Sequence, residues 1–451
     1  MSVALGWWQK YPCNNGHSPP DYGWSHVCYT DVLPLYSGRG LGDGHFPAWG
    51  SRLEYPVLIG VWMALIGLPV HALNAAGQML GPARALGFET VDAGIVFFWA
   101  NSVASGVLVL LTTWLLYRMR RDRPGDVVLW AAAPSMALAF TVNWDMLAVT
   151  PAVAALLAWS RRRPVWAGVL IGLGTAAKLY PVLLLLPIVL LALRAGHRAA
   201  RRGALAAVGA AVATWGGVNL PFAVHDPSLW WEPYRFSMER WIDWGSLYFL
   251  LDHLSGAIGQ HDAVLPAISK VPDLNRTSLL LFCLACAAIA ALVRFAPQPP
   301  RLAAIAFLAV AAFLVTNKVW SQQFVLWLGP LVVLARPRRR AWLGWQAIEV
   351  AYLCAFLRVV IAGKDDYVLV QTALARYLAV VVLAVLVAVD ALQPDRDVVR
   401  GDGGADPDAG LLARPAEGGP AGRGRSAAAD RSAPELVPAD AEVPEELTEQ
   451  R

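Results

Sequence analysis

Four ionisable side chains lie where the surrounding chain is otherwise apolar or aromatic: Asp31 in CYTDVLPLY, Asp145 in TVNWDMLAVT, Lys178 in GLGTAAKLYP and Lys318 in NKVWSQQ. A carboxylate so placed can take a proton from a hydroxyl, and a lysine at a membrane boundary pairs naturally with a lipid phosphate. Each also has a plainer reading. Asp31 fits a turn or cap aspartate before VLPLY, and Asn143 and Asp145 fit caps of a helix whose first turn starts near Met146. The two lysines fit snorkelling cations that decorate an interface. For Lys178 that reading is weakened, because it is the only basic residue from 164 to 193.

The elements that must position these groups are membrane helices. Hydrophobic residues make up 57% of the chain and charged residues only 16%, with a mean hydropathy of +0.47. A soluble domain carries about a quarter charged residues. Residues 129–159, 164–193, 203–224, 302–335 and 368–389 hold almost no charge, and arginines cluster between them. The fold class is therefore an all-α polytopic membrane protein in the cell membrane. The formal charge of +4 resides in arginines that flank apolar spans, so the lipid bilayer, and not nucleic acid, is the partner it implies.

Orientation follows from the basic clusters RMRRDR (118–123), RRR (161–163), RAGHRAARR (194–202), Arg294 with Arg301, and RPRRR (336–340), which belong on the cytoplasmic side. Alternation then sends 126–142 out and 146–160 back, 165–178 out and 181–195 back, and 302–316 out and 321–336 back. Residues 143–145, 177–181 and 317–323 fall together outside. Several of these spans are shorter than the roughly 20 residues that cross a bilayer. Short, interrupted helices converging on one side predict a cavity there.

The same parity makes 92–117 start outside. If 1–53 is an extracytoplasmic loop, 54–91 is an interfacial or re-entrant helical segment, and a first transmembrane helix is expected upstream of Met1. Alternatively 54–73 is an ordinary span and 1–53 is inside. Beyond these come transmembrane helices in 92–222, an aromatic-rich outer loop in 223–270, transmembrane helices in 271–392 and a disordered cytoplasmic tail in 393–451. Within the outer loop, WWEPYRFSMERWIDW offers Arg235 as a second phosphate contact. Glu54 fits a helix cap or a contact to an acceptor hydroxyl, and Asn317 and Gln322 fit caps or a polar lining. The five cysteines show no zinc-ligand spacing, so no metal ligand is assigned. Cys13 and Cys28 share a polar loop and can form a disulfide if that loop is extracytoplasmic.

The ordered set CYTDVLPLY (28–36), EYPVL (54–58), NWDMLAV (143–149), GLGTAAKLYP (172–181) and NKVWSQQFVLWLGP (317–330) resembles actinobacterial members of glycosyltransferase family 87. The resemblance runs from about residue 28 to 391. It implies a GT-C fold with juxtamembrane helices in a large first outer loop, and transfer of a sugar, mannose first among candidates, from a polyprenyl-phosphate donor with inversion. Asp31 matches the family's early-loop aspartate, with Thr30 where serine is common, and becomes the candidate catalytic base. Lys178, Tyr180, Lys318 and Arg235 become candidate donor-phosphate ligands. Asp145, Asn143, Glu54, Asn317 and Gln322 become orienting residues. No cofactor is required, and a divalent metal is compatible with the resemblance. The acceptor is a glycolipid, a polysaccharide or a protein of the cell envelope. Two other classes stay open at this point: a transporter or flippase of lipid-linked substrates, and a membrane protein without catalysis.

Overall fold

A computed structural model of the chain describes residues 1–14, 26–77, 92–257, 270–364, 366–400 and 406–413. Helices account for nearly all regular structure, and no strand occurs among the described residues. The helices are α1 (Ser2–Lys10), α2 (Val32–Gly38), α3 (Val57–Ala75), α4 (Ala93–Met119), α5 (Pro124–Ala131), α6 (Pro134–Ala139), α7 (Met146–Ser160), α8 (Pro164–Ala177) and α9 (Leu185–Ala195). They continue with α10 (Arg198–His225), α11 (Pro227–Glu239), α12 (Leu247–Ala257), α13 (Val271–Phe295), α14 (Leu302–Thr316), α15 (Val325–Ala335), α16 (Arg339–Val360) and α17 (Tyr367–Leu392).

Six of these, α3, α4, α10, α13, α16 and α17, are long and apolar enough to cross a membrane. The chain is an all-α polytopic membrane protein. Long and short helices divide the work. Along α4 the residues Val103, Val107, Leu110, Leu111 and Trp114 form an exposed apolar stripe, and Leu279, Leu280 and Leu284 do the same on α13. Such stripes suit contact with lipid tails. By contrast α15 is buried at every residue and α14 at every residue from Leu302 to Ala311. The inner helices α7, α8, α9, α14 and α15 have only 11–15 residues. At 1.5 Å per residue that is about 16–22 Å, well short of the hydrocarbon thickness. Their connecting turns are thus drawn into the bundle.

Close packing of α8 on α10 fixes one of those turns. Gly168 and Gly172 face Ala207 and Ala211, and a Cβ at Gly172 would come within 2.6 Å of the Ala211 carbonyl oxygen. Small residues four apart on both helices let the backbones meet, the usual means of joining helices in lipid. Lys178 follows directly at the end of α8.

The structure refines three sequence expectations. The span expected over 126–142 is two short helices, α5 and α6, because Pro134 starts a new helix after the break at Ala132 and Ala133. Residues 54–91 contain the unbroken 19-residue helix α3. It runs beside the beginning of α4: Trp62 Nε1 donates to Asn101 Oδ1 at 3.0 Å, and Gly67 abuts Phe97. Residues 78–91 lie outside the described residues. The segment expected to be disordered from 393 onward instead docks on the arginine-bearing helix ends through 394–400 and 406–413. There Asp408 pairs with Arg120 at 2.6 Å and Asp397 with Arg301 at 2.5 Å, all four side chains buried. Composition alone could not show that these acids meet arginines that also donate to helix-end carbonyls. The rest of the tail, 414–451, lies outside the described residues.

Candidate active site

At the opposite end of the bundle, the turns before α7, after α8 and after α14 come together with the loop that carries Asp31. That loop is tied down from several directions. The Asp31 amide donates to the Val142 carbonyl at 2.8 Å, and Thr30 Oγ1 donates to the Thr141 carbonyl at 3.0 Å. Lys10 on α1 donates to the Tyr29 carbonyl at 2.8 Å, and Gln9 donates to the carbonyls of His26 and Val27. Cys13 and Cys28 form a disulfide with Cα atoms 6.1 Å apart. Burial drives the Lys10 amine down to about 7.

The Asp31 carboxylate makes no cap bond to α2. Tyr29 Oη donates to Oδ1 at 2.8 Å, and Asn143 Nδ2 donates to Oδ2 at 2.9 Å. Burial raises the Asp31 pKa; the bonds from Tyr29 and Asn143 and the Lys178 charge act against that rise, and Asp145 adds to it. A carboxyl raised in this way is a better proton acceptor once ionised.

Asn143 is the junction. Its Nδ2 also lies 2.7 Å from Tyr55 Oη, and its Oδ1 is 3.5 Å from Lys178 Nζ. Lys178 Nζ sits 3.4 Å from Asp145 Oδ2 and 4.8 Å above the Tyr55 ring. Asp145 makes no cap bond to α7; its Oδ1 instead accepts from Trp327 Nε1 at 2.7 Å. Trp327 is held between stacked rings, Tyr180 at 4.4 Å and Phe324 at 3.8 Å. Burial pushes the Tyr55 phenol well above its ordinary value, so it stays a neutral hydrogen-bonding group.

Beside this network opens a cavity of about 220 Å³. Its lining combines polar side chains, Glu54, Tyr55, Lys178, Ser237 and Arg240, with apolar ones, Leu179, Phe313, Val319 and Phe324. Asp31 is joined to Tyr55 and Lys178 of that lining through the single residue Asn143. Among the described residues, no group of three or more His, Cys, Asp or Glu side chains is arranged to hold a metal.

The other candidates separate clearly. Glu54 and Asn317 line the cavity, and Glu54 is held by Arg39 through contacts of 2.6 and 2.8 Å. Tyr180 is buried behind Trp327 as its stacking partner. Lys318 turns to the backbone, donating to the Met238 carbonyl at 3.0 Å and the Arg240 carbonyl at 2.6 Å. Burial lowers its pKa to about 8. Arg235 pairs with Glu232 one turn away on the exposed face of α11 and does not reach the cavity. Gln322 faces a small cleft with Ser135 and Glu349.

Sequence reasoning did not single out Tyr29, Tyr55, Trp327, Arg240 or Arg376. Arg376 is fully buried in α17, pairs with Glu349 at 2.9 Å and donates to the carbonyls of Trp320 and Ser321, which braces the loop after α14. Its signal was available: it is the only basic residue in a 26-residue apolar helix. Arg240 had no such signal, since several charges surround it in the aromatic loop.

The family model of glycosyltransferase family 87 matches residues 86–321, just over half of the 451-residue chain. The chain belongs to glycosyltransferase family 87. It is a membrane glycosyltransferase. No curated protein matches it. The family 87 match contains Asn143, Asp145, Lys178, Arg240, Asn317 and Lys318, while Asp31, Glu54 and Tyr55 precede it and Trp327 follows it. The transporter and non-catalytic readings fall away with this membership.

Proposed function

We propose that this family 87 enzyme transfers a sugar, mannose as first choice, from a polyprenyl-phosphate donor to an extracytoplasmic cell-envelope acceptor, with inversion. The observation that supports it is a cavity lined by both Lys178 and Arg240 and by phenylalanines, one asparagine away from the half-buried Asp31. A lipid-phosphate sugar combines the same two kinds of group. Its phosphate would lie against Lys178 and Arg240, its prenyl chain along Phe313, Phe324 and Leu179, and its sugar towards Tyr55 and Glu54.

In the reaction the acceptor hydroxyl oxygen forms a bond to the anomeric carbon as the bond from that carbon to the phosphate oxygen breaks. Asp31 takes the hydroxyl proton, and polyprenyl phosphate leaves with the bonding pair. One displacement needs one base, and the leaving group needs positive charge. Asn143 holds Asp31 and Lys178 in register, and Asp145 with Trp327 aims Lys178. Lys318 contributes indirectly by fixing the Arg240 backbone.

The test is to incubate the purified full chain with radiolabelled polyprenyl-phosphate-mannose and a cell-envelope lipid extract. Wild type should give labelled product and Asp31→Asn almost none. No product from wild type, or equal product from the variant, overturns the proposal. Polyprenyl-phosphate-arabinose in parallel decides the sugar.

A further inference from the structure

A second cavity, of about 420 Å³, lies far from this site, at the arginine-bearing ends of α9 and α13. It is lined by the apolar Leu190, Leu193, Ala290 and Val293 together with Arg194 and Arg294. On each helix the arginine follows an apolar lining residue by one turn, Leu190 before Arg194 and Ala290 before Arg294, so oil and charge are layered about 6 Å apart. The flanks are lipid-facing: Leu193 is exposed, and so are Leu284 on α13 and Phe295 at its end.

These two arginines differ from the buried arginines at that end. Arg120, Arg301 and Arg336 each pair with a buried aspartate. Among the described residues no carboxylate pairs with Arg194 or Arg294. Arg194 is nevertheless held in place, donating to the carbonyls of Val293, Arg294 and Ala296 at the end of α13. That leaves part of its five-donor fork uncommitted. Arg294 is exposed, its guanidinium over the Phe295 ring at 5.5 Å. The result is a positively charged groove with apolar lining, flanked by exposed apolar side chains, whose two arginines have no carboxylate partner among the described residues.

We propose that this groove binds an anionic phospholipid, with the headgroup phosphate between Arg194 and Arg294 and an acyl chain along Leu190, Leu193 and Ala290. Basic clefts between membrane helices at the headgroup level suit such lipids. The site is independent of the donor cavity and of the chemistry proposed there.

Purified full chain in neutral detergent is titrated with dioleoyl phosphatidylglycerol or dioleoyl phosphatidylcholine, reading retained lipid by native mass spectrometry and Tm in parallel. Phosphatidylglycerol should be retained saturably and raise Tm, and phosphatidylcholine should not. Arg294→Gln should weaken phosphatidylglycerol binding about fivefold. Ala290→Phe, which fills the groove and keeps both guanidiniums, should weaken it as well, while labelled-sugar transfer by both variants confirms that they fold. Equal retention of the two lipids, wild-type binding by both variants, or the same Tm rise from inorganic phosphate overturns the proposal. So does loss of phosphatidylglycerol binding in Lys178→Gln but not in Arg294→Gln, which would place the lipid in the donor cavity.

Discussion

Both ends of the bundle bury charge, and they do so in opposite ways. At the arginine-bearing end each buried cation has a carboxylate of its own, although Arg120 Nε and Arg336 Nε are left without a hydrogen-bond partner. Arg120 has both carboxylate oxygens of Asp408 and the Leu334 carbonyl, and Arg301 has both oxygens of Asp397 and the carbonyls of Leu334 and Ala335. At the other end the groups are incompletely matched. Asp31 is held by neutral donors, Lys178 meets Asp145 only at 3.4 Å, and Asp145 Oδ2 is buried without a hydrogen-bond partner. Carboxylate-paired arginines away from a cavity are costly to break and hold helix ends together; groups kept short of partners beside a cavity remain available to a substrate. Charge burial alone therefore identifies neither structure nor function, and the state of its partners does.

Mutations at the two ends should separate accordingly. The largest effect is expected from Asp31→Asn, which should lower kcat by about 10²–10⁴ in labelled-sugar transfer without a comparable loss of Tm. Ionising Asp31 at neutral pH costs folding energy because its native pKa is raised, so a neutral amide removes that cost. Lys178→Gln should reduce kcat/KM by about 10²–10³. It also leaves Asp145 without its cation, and the double variant with Asp145→Asn should regain Tm but not transfer. A double variant that regains transfer would break the comparison.

Arg120→Gln reverses the pattern. It should cost about 3–5 kcal/mol of stability by stranding Asp408, read from denaturation in detergent, with transfer per folded molecule unchanged. A smaller contrast tests which arginine serves the cavity: Arg240→Gln should raise the donor KM about tenfold, and Arg235→Gln should leave it unchanged. The smallest effect concerns pH. Transfer needs ionised Asp31, so the acid limb of kcat/KM should lie above the ordinary carboxylate range near about 4. Tyr29→Phe removes a bond that favours the carboxylate and should move that limb further up. A limb that moves down would remove Asp31 as the base.

Much of this was legible in the chain because a bilayer enforces simple rules. The placement of 143–145, 177–181 and 317–323 at one end followed from arginine spacing, and those turns do meet around one cavity. Lys178 stood out because an isolated cation in apolar sequence is expensive. What failed were statements about partners. Lys318 looked like a second phosphate ligand after Lys178, yet its amine is consumed by two carbonyls, and Arg235 was chosen from the aromatic loop where Arg240 is the one that lines the cavity. The cap readings of Asp31 and Asp145 were reasonable locally and lost to Tyr29, Asn143 and Trp327, residues brought in from other elements.

The sequence by itself determined the class of protein, the number of polar turns and the end of the bundle at which they gather, since hydrophobic length and charge position act on each segment separately. Only the tertiary structure decided which lysine faces a cavity, which acid is held by neutral donors and which arginines are left without carboxylates. Those properties depend on groups far apart in the chain coming within 3–4 Å, and no local pattern encodes a distance between segments.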